Sequence, residues 1–236
     1  SIDGSMYRLV ALGISVIALG AFIWQERWSA TPIMPLVLFK DPERRYAYLT
    51  RFFFMGVSLS YFFLTPLAMQ HVYGFTPLQA AVGFLPETLP QFIAAALVTR
   101  LTGTVRPGRL IFSGLILMLV GVLGAALVGV QVGYGLAIAG PMVVIGIGQG
   151  MALGMLTIAG VSHTTPELSG AASGVVNTIH QIGGSVGLSL IVMLTSQIKV
   201  AADSYNQSLV WMMVLTIVAL IFAIGILKGE KRLALK

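Results

Sequence analysis

The sequence has no cysteine, which excludes disulfides, thiolate nucleophiles and cysteine-ligated metal sites. Charge is almost as scarce. The chain carries 14 Lys and Arg and 8 Asp and Glu, 9% of its residues, where a soluble domain averages roughly a quarter. So few charges cannot clothe a water-facing surface over 236 residues. Its three histidines, His71, His163 and His180, have no metal-ligand spacing and no carboxylate cluster beside them, so no metal is expected. No cofactor is expected either. The run Gly146-Ile147-Gly148-Gln149-Gly150 imitates a nucleotide loop, but it sits inside an apolar helical segment rather than between a strand and a helix. The net charge of +6 does not point to nucleic acid, because the Lys and Arg fall in gaps between apolar runs.

What the chain has is hydrophobic length. Hydrophobic residues make up 57%, and 27 glycines allow close helix packing. A spanning helix needs about 20 mostly apolar residues. Seven segments qualify: Tyr7–Gln25, Tyr48–Gln70, Thr76–Thr99, Leu110–Val130, Tyr134–Leu156, Gly170–Gln197 and Ser208–Leu227. The first also resembles a signal peptide ending at Ser29-Ala30, but it is long for one, and Gln25-Glu26-Arg27 is a poor approach to a cleavage site. Lys and Arg collect after the first and third segments and in the tail (Arg27, Lys40, Arg44, Arg45, Arg51; Arg100, Arg106, Arg109; Lys228, Lys231, Arg232, Lys236). The opposite side has Arg8 and Lys199. Cytoplasmic loops carry the excess of Lys and Arg, so the N-terminus is expected outside and the C-terminus inside.

Seven spans with an outside start suit a piece of a longer chain. The expected division is a linker transmembrane helix over 1–25, a cytoplasmic loop over 26–47 and a six-helix domain over 48–236. Those six helices fall into two triplets that enter the membrane from opposite sides, the inverted three-plus-three plan of a transporter half. The fold class is therefore all-α, membrane-embedded, with seven transmembrane helices.

Four sets of residues stand out: Met34-Pro35-Leu36-Val37-Leu38-Phe39-Lys40; Gln70 with Tyr73-Gly74-Phe75-Thr76-Pro77-Leu78-Gln79-Ala80 and Leu85-Pro86; Gly146, Gly148 and Gly150; and Gly170-Ala171-Ala172-Ser173-Gly174-Val175-Val176-Asn177, continuing through His180-Gln181-Ile182-Gly183-Gly184 to Gly187. These segments are similar to the fourteen-helix drug:proton antiporter family of the major facilitator superfamily. They occur in family order along nearly the whole chain. The resemblance implies the second linker helix and the C-terminal half of an exporter in the bacterial cytoplasmic membrane. Its partners would be lipid, protons, a lipophilic or cationic substrate and the N-terminal half that this sequence lacks. Val105-Arg106-Pro107-Gly108-Arg109 echoes that family's cytoplasmic-loop motif. Val105 stands where the full motif has aspartate, which removes the acid a charge relay needs.

Glu87 is the acid clearly inside a span. It lies eleven residues past Thr76, about 16 Å deep at about 1.5 Å per residue. An ionised group there costs roughly 2.5–3.5 kcal/mol, so it needs a water-filled cavity, a partner or a proton. Pro86 and Pro90 flank it, and Gly83, Glu87 and Gln91 share a face, with Gln79 near the outer end. The functional reading is a proton or cation site; the alternative is a protonated acid bonded between helices. His180, with Asn177, Gln181 and Gly184 at helical spacing, forms a second polar stripe that suits either a proton relay or an interhelical hydrogen bond. Related sequences often place arginine at that position. Tyr61, near Ser60 and Thr65, is the aromatic best placed to meet a substrate, whereas Phe52, Phe53, Phe54, Phe62 and Phe63 suit lipid or core. Gly146, Gly150 and Gly154, and Gly183, Gly184 and Gly187, are read as helix contacts. Thr165-Pro166-Glu167 reads as a helix start with Thr165 as cap. Arg100, Arg106 and Arg109 read as topology determinants.

Two rivals remain at this level. A membrane-embedded enzyme would need several convergent acid, base or metal groups, and the spans hold one acid and one histidine. A truncated piece would be inactive in transport by itself.

Overall fold

The structure is a computed structural model. It describes residues 34–102 and 104–233, together with residues 10, 13, 14, 17, 18, 20, 21, 24–26 and 28. The helix expected over Tyr7–Gln25, and with it the count of seven, lies outside the described residues as a continuous element. Within them the chain is helical and without strands. Six helices are long and apolar enough to cross a membrane: α1 (Pro42–Tyr73), α2 (Pro77–Leu101), α3 (Pro107–Val128), α4 (Gly135–Val161), α5 (Pro166–Thr195) and α6 (Ala201–Glu230, continuing to Leu233).

Helix α1 begins at Pro42, earlier than the expected Tyr48, so the loop assigned to 26–47 is shorter. The Asp41 carboxylate accepts from the Arg44 amide at 2.9 Å, and Pro42 occupies the first turn. Hydropathy misses this start because the turn is polar. Arg51, near the start of the expected span, consequently lies nine residues past the start of the helix. The helix ends at Gly74, whose φ of 70° is the left-handed conformation that glycine adopts without strain. Thr76 and Gln79 then form a reciprocal capping box.

Helix α2 is broken into Pro77–Val82 and Leu85–Leu101. Pro86 has no amide hydrogen to continue the ladder across Gly83 and Phe84. The Gly83 carbonyl, freed by the break, accepts from the Tyr134 hydroxyl at 2.8 Å. Helix α4 opens with one π-helical turn, Gly135–Ala139. Helix α5 starts at Pro166, ahead of the expected Gly170, and the Thr165 side chain makes no capping bond. Helix α6 starts at Ala201 rather than Ser208.

The connections are too short for anything but antiparallel reversal of neighbouring helices. Helices α1, α3 and α5 therefore start at one end, called the near end below. The helix pairing is almost unchanged when α1 is exchanged with α4, α2 with α5 and α3 with α6. Helix α1 packs on α5 as α4 packs on α2, and α1 packs on α6 as α4 packs on α3. The α3–α6 and α1–α4 contacts map onto themselves. Only α5–α6 lacks an equally developed counterpart in α2–α3.

Glycines set the two exchange-related pairs at close range. A Cβ on Gly146 would run into the Glu87 carbonyl oxygen, and one on Gly150 into that of Gln91. In the α1–α5 pair, Gly183 meets Phe52 and Gly187 meets Gly56. Gly184 faces the Leu59 side chain. Gly154 is different: open space surrounds it, so the expected packing stripe stops at Gly150.

Candidate functional site

The Glu87 site is assembled by α2, α4 and α1. The break at Gly83 and Phe84 starts a new helical segment at Leu85, and Glu87 lies in its first turn. Gly146 lets α4 sit against the Glu87 backbone, and the side chain is 3% exposed. No hydrogen bond or ion pair from its carboxyl forms among the described residues. One turn further, the Gln91 amide donates to Gln149 Oε1 at 3.1 Å. Gln149 is buried on α4, and its own amide nitrogen has no partner among the described residues. Sequence reasoning took Gln149 as part of a glycine packing run. Its signal was that it is the polar side chain in the middle of that run.

Tyr61 lies inside the bundle at 1% exposure, its ring 6.1 Å from that of Phe84, and not on a surface open to a substrate. Nearby, Thr65 and Tyr205 hydroxyls are 2.9 Å apart. Gln79, placed on the Glu87 face by spacing, is engaged in the capping box. An apolar groove of about 810 Å³ follows α2 past Phe75, Gln79, Pro86, Pro90 and Tyr134. Glu87 is not among its walls.

His180 lies on α5, half-buried, and faces a residue counted above with the charges that follow the first span. Arg51, 6% exposed on α1, donates to Thr157 Oγ1 at 2.8 Å and to His180 Nδ1 at 3.1 Å. A guanidinium only donates, so Nδ1 is the acceptor and the ring proton sits on Nε2. Asn177 and Gln181 flank His180 on the same helix and are exposed. His71 and His163 lie exposed at helix ends.

At the near end, Gly108 is buried and its amide donates to Glu230 Oε1 at 2.6 Å. This carboxylate sits at the start of α3, where the helix dipole favours negative charge. Arg106 donates to the Glu230 carbonyl at 3.2 Å, so it fastens α3 to α6; Arg109 is exposed. Arg44 ties α1 to the end of α4 by donating to the carbonyls of Ser162 and His163, each at 3.0 Å. His163 also pairs with Asp41 at 3.5 Å. Among the described residues no cluster of three His, Cys, Asp or Glu could hold a metal.

The sequence was compared with known proteins. It is 32% identical over 188 residues to the cephamycin export protein of Amycolatopsis lactamdurans, covering 79% of this chain and 39% of that protein. It is 28% identical over 195 residues to the multidrug resistance protein Stp of Mycobacterium tuberculosis, covering 79% of this chain and 34% of that protein. It is 26% identical over 194 residues to the lincomycin resistance protein of Listeria monocytogenes, covering 82% and 41%. The chain thus spans about two fifths of the length of these relatives. The family model of the Major Facilitator Superfamily matches residues 7–188, most of the chain. Its six long apolar helices, their exchange-related packing and this match agree: the chain belongs to the Major Facilitator Superfamily.

Proposed function

We propose that this chain is the C-terminal part of a proton-driven exporter of lipophilic compounds, of the fourteen-helix drug:proton antiporter kind. Relatives named for cephamycin export, multidrug resistance and lincomycin resistance support export, and the shared family argues against an enzyme. The relatives are longer than the chain, which supports a partner half against which this bundle moves. The Lys and Arg gathered at the near end support a cytoplasmic near end, in the cytoplasmic membrane of a bacterium.

Glu87 carries the mechanistic part of the reading. It is a buried acid near mid-span with no partner among the described residues. Ionised and unpaired, it would cost roughly 2.5–3.5 kcal/mol, so its stable forms are the protonated acid and a carboxylate that has met a cation. That alternation is what exchange of a proton for a cationic or polar substrate requires. Gln91 and Gln149 extend the polar lining on one side, and Asn177, His180 and Gln181 form the lining on α5. Arg106 and Gly108 hold the near-end loop against α6, with Arg109 exposed beside them.

The test is expression of the complete coding sequence in a bacterium stripped of its own exporters. The expected result is lowered accumulation of a lipophilic fluorescent dye, reversed by an uncoupler. Unchanged accumulation, or lowered accumulation that an uncoupler leaves intact, contradicts the proposal.

A further inference from the structure

Arg51 is a buried charge within a span that the Glu87 mechanism does not use. Its helix position is forced. Gly183 and Gly187 bring α5 against Phe52 and Gly56 of α1, so Arg51, one residue earlier, lies inside the α1–α4–α5 junction. The side chain is more than nine-tenths buried, and its two contacts are neutral: a threonine hydroxyl and an imidazole nitrogen. Its Nε has no partner, and no carboxylate pairs with it among the described residues. The one ion pair there, His163 with Asp41, lies at the near end of the bundle. A buried arginine with no acid beside it leaves positive charge uncompensated in a low-dielectric setting.

His180 carries that charge to the surface. Because Arg51 donates to Nδ1, the ring presents Nε2–H on its other side. His180 is only half-buried, and exposed Asn177 and Gln181 stand beside it with amide donors of their own. This arrangement is a set of partly or fully exposed donors backed by a fixed cation, the chemistry that holds a carboxylate.

We propose that His180, oriented by Arg51, is a binding site for a carboxylate group. Arg51 is a positioning residue and His180 Nε2 the contact. As a site for cargo the assignment rests on the export reading above; as a carboxylate site it does not. The carboxylate comes either from a small molecule or from an acidic side chain of the rest of the transporter. In both cases the site is opposite in sign to Glu87 and lies on the exchange-related helix pair.

The test uses the chain in detergent micelles with ¹⁵N-labelled histidine, titrated with benzoate, with neutral methyl benzoate and benzylammonium as controls. His180 is expected as the Nε2–H tautomer. Its resonance should shift saturably with benzoate alone, while those of His71 and His163 stay put. Arg51→Gln should lose the tautomer preference and weaken benzoate at least tenfold. Should that variant fail to fold, His180→Gln, which keeps a donor, should retain benzoate binding by calorimetry, and His180→Leu should lose it. A His180 resonance that ignores benzoate, or answers the ester equally, overturns the proposal. Repeating the titration in the complete transporter separates the sources. A persisting shift assigns a small-molecule carboxylate. A resonance already at the bound position and unresponsive assigns a side chain of the other half.

Discussion

At Gly146 a single methyl group measures how tightly α2 and α4 are packed. The position of a Cβ there is taken by the Glu87 carbonyl oxygen, which is backbone and cannot swing aside. Gly146→Ala should therefore lower stability in detergent by about 1–3 kcal/mol, the usual cost of overpacking. Gly154→Ala is the matched control. It has open space around it, and alanine is the better helix former, so it should be neutral or stabilise by up to about 1 kcal/mol. Thermal unfolding of the two variants side by side checks both. The sequence showed Gly146, Gly150 and Gly154 as one four-residue repeat. Which of them touch a neighbour depends on where α2 ends its approach, and no local pattern records that. Gln149 was hidden for the same reason, since its significance comes from Gln91 on another helix.

Helix boundaries depended on how each start is made. Apolar runs located each of the six spans among the described residues, but polar first turns such as that of α1 fell outside them. Asp41 and Pro42 are ordinary start signals, and reading them together would have placed Arg51 nine residues past the helix start rather than three, deeper along α1 and toward His180. At the other end of this contact, Arg44 holds the last carbonyls of α4. Arg44→Gln should remove charge-assisted hydrogen bonds to these part-buried carbonyls and destabilise the near end by about 1–3 kcal/mol. Hydrogen exchange should then quicken at the end of α4 and the start of α1. Equal protection in variant and wild type would show that the clamp carries no weight. The break in α2 was foreshadowed by Pro86 and Gly83, yet the hydroxyl that takes the freed Gly83 carbonyl comes from Tyr134, far along the chain.

For the molecule as a whole, the pairing of helices under exchange of the two triplets is the strongest structural regularity. Spacing alone suggested the two triplets; the contacts among helices distant in sequence could not be read from it. The absence of cysteine makes this arrangement simple to test. Cysteines replacing Gln91 and Gln149 should join α2 to α4 through a short bifunctional thiol reagent, and cysteines replacing Thr65 and Tyr205 should join α1 to α6 in the same way. Failure of both pairs to cross-link in membranes would contradict the packing. Within this frame two buried ionisable residues, Glu87 and Arg51, occupy the α2–α4 and α1–α5 contacts that the exchange relates.

The central claim is that Glu87 exchanges a proton during export. The direct measurement is dye flux in proteoliposomes holding the complete transporter, driven by an imposed pH gradient. Wild-type flux should follow the gradient. Glu87→Gln, which keeps the shape but cannot ionise, should lose at least nine-tenths of gradient-driven flux while still binding dye, and Glu87→Asp should keep part of it. Gradient-driven flux in Glu87→Gln equal to wild type would contradict the account.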